Sequence, residues 1–569
     1  MSGAREVVTL QLGPYAGSVG AHWWRIQEAL LCCGSAAEES LCHNVLFRAG
    51  KTPHGQETYT PRLILTDLKG NLSSFQQKGS SCQDTKSDSP TAWRGSLSTH
   101  QEDPLPANPF LHTLNRQASG RTPDGNLASW THLSDSHPRP NETPKTSGVE
   151  TAAPAWPDFL RTPLHPRSIL TIHQYHHEGD SSRLEAFGQG EKLLQEGAYP
   201  DELEDRLHFY VEECDYLQGF QVLCDLQSGF SGVGARATEL LQDEYAGKGI
   251  LTWGLTPVLQ PTIPQRNFYQ LMNTVLGLVK LSTHSSLFCP LSLNGSLGLR
   301  PQPPVSLPYL HYEPSLDYHT SAILAATLDT LTSPYRLQAS PLSMVQLAEA
   351  LTFSGRKVAA VTAAVPFPAS HGQSLPEALC GHQTSLPGTS LSSCGEPRDE
   401  HCFAQSVVLR GISKEHQVSH IPSGSEPRSV LHMCETGQEV LARYLYTVSP
   451  RTFSTSHLLQ APCRLLAPFP QFFSPLVNKH GFLLEKPLQT FAAVESIPVF
   501  TALQASAALH KTLRALYEEL RQVDVRRWAS FFSAGMETDD FVEALEGLRT
   551  LSHCYKESGS EDNSEDETD

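Results

Sequence analysis

The chain has no paired cysteine spacing, no long apolar run and no excess of basic charge. Its 13 cysteines are scattered without a Cys-x-x-Cys pair, so neither a zinc ribbon nor a disulfide framework is expected, and the thiols read as reduced. No apolar run approaches roughly 18 residues, so no membrane-spanning helix is expected. The N-terminus shows no apolar leader either. A cytoplasmic chain, or one held peripherally on a surface, is the expectation. Lys and Arg number 42 against 60 Asp and Glu, a formal charge of −18. That balance argues against a nucleic-acid partner, which would demand a basic face.

At 569 residues the chain is too long for one hydrophobic core, and two to four units are the prior. Its 41 prolines and 39 glycines, with 39% apolar residues, suggest folded units broken by polar inserts. Residues 76–155 are rich in Ser, Thr, Pro, Asn, Gln and His with little periodicity, and read as a disordered insert. A second loop-rich insert falls at 369–400. Residues 557–569 hold seven acids and no base and read as a solvated, disordered acidic tail.

Val7 to Leu12 read as a short buried strand. Gly13, Gly17 and Gly20 follow it, and a helix-compatible run opens at Ala21. Strand, glycine turn and helix start can place backbone N–H groups around a phosphate; a plain tight turn is the commoner meaning of that spacing. The pattern returns further on. Leu203, Leu207, Tyr210 and Val211 mark a helix over 201–220, extended by Cys214 and Leu217. Phe220 to Leu226 is a buried strand, Ser228 to Gly234 a glycine turn, and Ala235 to Tyr245 a helix. Repeated strand–turn–helix units indicate a parallel α/β sheet with ligands at the carboxyl ends of its strands. Near the end, Leu509, Leu513, Leu516 and Leu520 form one helical face, and a second helix capped by Thr538 carries Phe541, Leu545 and Leu548.

Two other constellations carry less. His173, His176, His177 and Glu178 could offer metal ligands, but loop histidines beside an insert are the commoner case. Ser231 sits in Gly-Phe-Ser-Gly-Val-Gly, yet a nucleophile elbow requires glycine where Val233 stands.

The wording of these segments is more specific than their spacing. Arg5-Glu-Val-Val with Gly20-Ala-His-Trp-Trp resembles the opening of tubulins. Pro61-Arg62 with Asp67-Leu68, Cys214-Asp-x-Leu-Gln-Gly-Phe220 and Asp243-Glu-Tyr245 are similar to tubulin segments in the same order. Further matches are Phe353-Ser-Gly, Val365-Pro-Phe-Pro, Leu409-Arg-Gly, Arg526-Arg-Trp and Gly535-Met-Glu-x-Asp-Asp-Phe. The resemblance implies a Rossmann-like parallel-sheet domain from 1–75 and 156–300. A central helix and a smaller mixed α/β domain over 301–500 should follow, then a C-terminal helical hairpin at 501–556. Any surviving nucleotide site would use Gly13, Gly17, Gly20, Asp67, Gly229, Ser231, Gly232 and Gly234.

The chemistry departs from the tubulin pattern. The phosphate run Gly-Gly-Gly-Thr-Gly-Ser-Gly is replaced by Gln227-Ser-Gly-Phe-Ser-Gly-Val-Gly234, and Phe230 costs space and backbone freedom in a phosphate nest. Pro14 lacks an N–H. Lys69 stands two residues after Asp67, where a tubulin has an acid, and would repel a divalent cation. The interval from Gly355 to Val365 is too short for the loop that assists hydrolysis in a neighbouring subunit.

The inserts, the eroded turns and the run Leu203 to Phe220 together resemble the Misato family over essentially the full length. That resemblance implies a role in mitochondrial distribution, morphology and fusion, at the outer membrane and in the cytoplasm, without a catalytic residue. GTP is the candidate cofactor. A slow GTPase switch and a cytoskeletal or spindle-associated role are the alternatives. Tubulin and the cytosolic chaperonin are the candidate protein partners.

Overall fold

The computed structural model describes residues 5–31, 41–51, 55, 57–72, 156–175, 183–258, 264–298, 302–339, 342–393, 401–419, 429–489 and 492–557. The 76–155 insert, His176 to Glu178 and the acidic tail beyond Glu557 lie outside them. The first domain runs β1 (Glu6–Leu12), α1 (Pro14–Leu31), the antiparallel pair β2 (Phe47–Lys51) and β3 (Glu57–Pro61), β4 (Leu63–Leu68), α2 (Trp156–Phe159), β5 (Ile169–Ile172), α3 (Phe187–Leu193), α4 (Tyr199–Glu212), β6 (Leu217–Asp225), α5 (Phe230–Glu244), β7 (Gly249–Thr256), α6 (Pro264–His284) and β8 (Leu287–Ser292). Six strands lie in the order β5-β4-β1-β6-β7-β8, all parallel. Strands β1 and β6 are neighbours, with Val8 beside Phe220. Every residue of both is buried, as a parallel sheet covered on both faces requires. Strand order reverses between them, and in such sheets a crevice opens there, at the carboxyl ends.

Helix α7 (Asp317–Leu331) follows, and all of Tyr318 to Leu331 is buried. It has no polar stripe because it has no solvent face. The hydroxyls of Thr327 and Thr330 donate back to the carbonyls of Ile323 and Ala326, so they need no partner outside the helix. Helix α8 (Met344–Thr352) opens with a capping box between Ser343 and Gln346. The second domain holds β9 (Ala360–Ala364), α9 (Leu375–Cys380), β10 (Thr389–Ser390), β11 (Cys402–Arg410), α10 (Gly437–Val448), β12 (Phe453–Leu459), the short pair β13 (Cys463–Arg464) and β14 (Ser496–Ile497), and β15 (Val499–Ser506). Its mixed sheet has the order β10-β9-β15-β11-β12. Helices α11 (Ala508–Arg521) and α12 (Thr538–His553) form the C-terminal hairpin, with Leu509, Leu513, Leu516, Leu520, Phe541 and Leu548 in one core.

One buried charge cluster joins these parts. The Asp329 carboxylate on α7 accepts from Gln27 Nε2 of α1 at 2.7 Å, from Arg336 Nη2 at 2.8 Å and from Arg410 Nη1 of β11. Burial alone would push the Asp329 carboxyl up; Arg410 and Arg336, helped by Gln27, outweigh it and hold it below the usual carboxylate range.

Several boundaries correct the periodicity. Helix α1 begins at Pro14 rather than Ala21, with proline at its first position, where the missing N–H costs no bond. Helix α4 stops at Glu212, so Leu217 belongs to β6. Helix α5 begins at Phe230 rather than Ala235. Glu537, not Thr538, is the cap of α12, closing a box with Asp540. The 369–400 stretch contains α9 and β10. Strand β9 fills the short interval after Gly355, leaving only Arg356 to Ala359 as connection.

Candidate functional site

At the carboxyl ends of β1, β4, β6 and β7 lies a cleft of about 690 Å³. Its wall includes Pro14 and Tyr15 after β1, Asn71 after β4, Gln227 and Ser228 after β6, and Pro257 after β7. Helix α6 adds Tyr269 and Gln270, and the head of α7 adds Asp317 and Tyr318. This is the switch-point crevice that the strand order demands. A helix start beside it, with its unsatisfied N–H groups, would favour an anion.

The chain supplies an acceptor for those groups itself. The Asp225 carboxylate, last residue of β6, accepts from Tyr15 N–H at 2.9 Å and from Ala16 N–H at 2.6 Å. Two of the donors at the head of α1 are thereby taken by a side chain 210 residues away. Gly13 makes the approach feasible. Its φ is +108°, and a Cβ there would lie 2.5 Å from Asp225 Oδ2. Burial pushes the Asp225 carboxyl well above its ordinary value, an effect that the two amide donors only partly offset and that the nearby Asp67 and Asp317 reinforce.

The eight residues singled out by the sequence have other contacts, and none of them lies on the cleft wall. Gly17 and Gly20 are inside α1: a Cβ on Gly17 would meet the Trp156 ring at 2.7 Å, and one on Gly20 the Gln11 side chain at 2.1 Å. Asp67 is fully buried and accepts from Trp156 Nε1 at 2.7 Å, Asn71 Nδ2 at 2.9 Å and Leu68 N–H at 2.7 Å. Lys69 is exposed. Gly229 caps α5 and donates its N–H to the Leu184 carbonyl at 3.1 Å. Gly232 has no room for a Cβ, which would sit 2.0 Å from the Phe187 carbonyl oxygen. Gly234 faces Cys224 Sγ, and Ser231 Oγ donates to the Ser228 carbonyl at 2.8 Å. The surviving glycines on α5 therefore seat protein groups: Gly229 and Gly232 receive the backbone leading into α3, and Gly234 faces the sheet. Phe230, 2% exposed, fills the corner between them and the cleft.

Sequence reasoning passed over Asp225 and Trp156, the two side chains that organise the cleft floor. The available signal was an acid at the last position of a strand adjoining a glycine-led helix. Among the described residues, no group of three or more His, Cys, Asp or Glu could hold a metal, and no helix is long and apolar enough to cross a membrane.

Burial raises Asp67 from 3.8 to about 6, against the pull of Asn71, Trp156 and Leu68. The folded chain then binds more protons than the unfolded chain between about pH 4 and 6, so stability falls as pH rises through that window. Asp67→Asn is expected to remove roughly 3 kcal/mol of this pH dependence. Denaturation midpoints at pH 3 and pH 7.5 for both chains check it; an unchanged difference would sink the assignment.

A doubly wound sheet with a switch-point cleft, a central buried helix, a second mixed sheet and a C-terminal helical hairpin define a tubulin-like protein. A model described as the Misato Segment II tubulin-like domain matches residues 5–116, and one for the tubulin domain matches residues 145–337. The chain is 54% identical over 562 residues to protein misato homolog 1 of Homo sapiens, covering 97% of this chain and 98% of that one. It is 44% identical over 595 residues to the Danio rerio homolog, covering both chains fully. With protein misato of Drosophila melanogaster it shares 30% over 593 residues, 98% of this chain and 100% of the other. The chain belongs to the Misato family.

Proposed function

We propose that the chain supports mitochondrial distribution, morphology and fusion from the cytoplasmic face of the outer membrane, as a non-polymerising binding body rather than a GTPase. Membership of the Misato family supports the role in mitochondrial morphology and distribution, carried by the tubulin-like domain. The observation that favours binding over catalysis is Asp225 on the Tyr15 and Ala16 amides. A triphosphate seeking those donors must displace a buried carboxyl group whose two oxygens already hold them. Attachment to the membrane is peripheral, through a protein or lipid partner, with tubulin and the cytosolic chaperonin as the protein candidates.

Depletion is expected to fragment or cluster mitochondria, and re-expression to restore the network. Asp67→Asn keeps an oxygen for the Trp156 N–H and should restore the network as well as the unaltered chain does. Equilibrium titration with labelled GTP should show no saturable binding. Stoichiometric binding with turnover lost in Asp67→Ala would instead establish the slow GTPase switch, for which the open cleft of about 690 Å³ leaves room.

A further inference from the structure

The second sheet is apolar on the face that carries α9 and α10, except at one end. Ala364, Val407, Leu409, Phe500 and Ala502 pack into one core there. Beyond them in the same alternation, Gln504 of β15 stands beside Gln405 of β11, and Gln405 beside Ser454 of β12. The Thr362 hydroxyl donates to Gln504 Oε1 at 3.0 Å, Gln504 Nε2 to Gln405 Oε1 at 3.3 Å, and Gln405 Nε2 to Ser454 Oγ at 2.9 Å. Thr362, Gln504 and Gln405 are buried. A polar row in such a place carries a desolvation cost that apolar residues would not, so it calls for a reason beyond packing.

Thr362 and Gln504, at the near end of that row, line a cavity of about 250 Å³. Two short segments form its walls. Ser449 to Thr452 make the turn between α10 and β12, with Pro450 at its second position. The Thr452 N–H donates to the Ser449 carbonyl at 3.2 Å, and its hydroxyl ties the turn to the Cys402 carbonyl at 2.8 Å. The other wall comes from residues 384–390. Gly388 lets them lie against β9: its φ is +120°, and a Cβ there would be 2.6 Å from the Ala363 carbonyl.

The groups on these walls are able to donate. Arg451, His401, Ser385, Ser390 and Ser449 line the cavity, and their side chains make no hydrogen bond or ion pair among the described residues. Among the described residues, no Asp or Glu lines it, although the chain holds 60 of them against 42 Lys and Arg. The C-terminal pole of α10 opposes an anion with roughly half a charge, which the full charge of Arg451 outweighs.

We propose that this cavity binds a phosphate monoester, held by the Arg451 guanidinium, His401 and the serine hydroxyls. A guanidinium fork matches phosphate oxygens. A phosphate offers three acceptor oxygens beyond its ester link; a carboxylate, with two, would leave most of these donors idle. The volume lies just below the roughly 300–1,000 Å³ of drug-sized pockets, so the ester is a small one, free or at the tip of a lipid headgroup. The site shares no lining residue with the switch-point cleft.

The test is calorimetric titration of the full-length chain with glycerol 3-phosphate at fixed ionic strength, beside vesicles of phosphatidylcholine with and without phosphatidic acid. Saturable binding is expected, weakened roughly tenfold or more in Arg451→Met by loss of one charge-assisted contact. Arg451 is exposed, so the melting temperature of the ligand-free variant should not move. Arg451→Lys, which keeps the charge without the fork, should fall between the two. Arg451-dependent binding of glycerol 3-phosphate assigns a free ester, and Arg451-dependent binding of phosphatidic acid vesicles alone assigns a lipid headgroup. Binding of neither probe would overturn the proposal. So would binding unchanged in Arg451→Met, binding lost instead in the cleft variant Arg266→Met, or acetate bound as tightly as glycerol 3-phosphate.

Discussion

Replacing Asp329 by alanine is expected to lower stability by roughly 3–5 kcal/mol, because it strands two buried guanidinium groups. Arg336 and Arg410 are 2% and 0% exposed, so the lost counter-charge leaves both guanidinium groups away from bulk solvent. Asp329→Asn should be almost as harmful, since it keeps an acceptor for Gln27 but not the charge. Combining Asp329→Ala with Arg410→Met should recover part of the loss, because it removes one of the uncompensated charges along with the pair. Urea midpoints for the four chains measure these differences. The folded Asp329 titrates below its ordinary range, so its contribution is present above pH 4 and is lost as pH falls through the folded value. A shift under about 1 kcal/mol, typical of exposed pairs, would show that the cluster is not a structural clamp.

The second large effect concerns the contact between α3 and α5. A Cβ on Gly190 would lie 1.8 Å from the Gly229 carbonyl oxygen, and one on Gly232 would lie 2.0 Å from that of Phe187. Both obstacles are backbone, so the helices must separate. Gly190→Ala and Gly232→Ala should each cost about 1–3 kcal/mol or more. Gly381→Ala is the control: its φ is −70° and its nearest neighbour would be 3.5 Å away, so it should be neutral. The comparison matters for function. Loss of mitochondrial rescue by a Gly232 variant would reflect unfolding, and only a variant with an unchanged melting curve could implicate a ligand. If Gly190→Ala and Gly381→Ala melt alike, the close packing described for α3 and α5 is wrong.

Strand β1 was legible because Val7, Val8, Leu10 and Leu12 crowd into six residues before a glycine, although Glu6, Thr9 and Gln11 are buried with them, and the α11 stripe because one face of that helix meets the core. Helix α7 was not legible by periodicity: enclosed on every side, it carries no alternation to detect, and only the resemblance to tubulins placed it. The glycines were visible but their partners were not. A close backbone approach selects glycine whether the visitor is a phosphate or a carbonyl, and the Phe187 carbonyl beside Gly232 lies 45 positions upstream. The Asp225 contact with Tyr15 spans 210 positions, beyond any local pattern.

The carboxylate at the head of α1 is covalently part of the chain, and this changes what mass action can do there. A dissociable ligand stabilises its protein by an amount that grows with its free concentration. Asp225 has no free concentration and no exchange rate. Displacing it from the Tyr15 and Ala16 amides requires its replacement or local unfolding. Thermal midpoints should therefore be the same with and without added nucleotide, and the conformation around this cleft should not follow the energy charge of the cell.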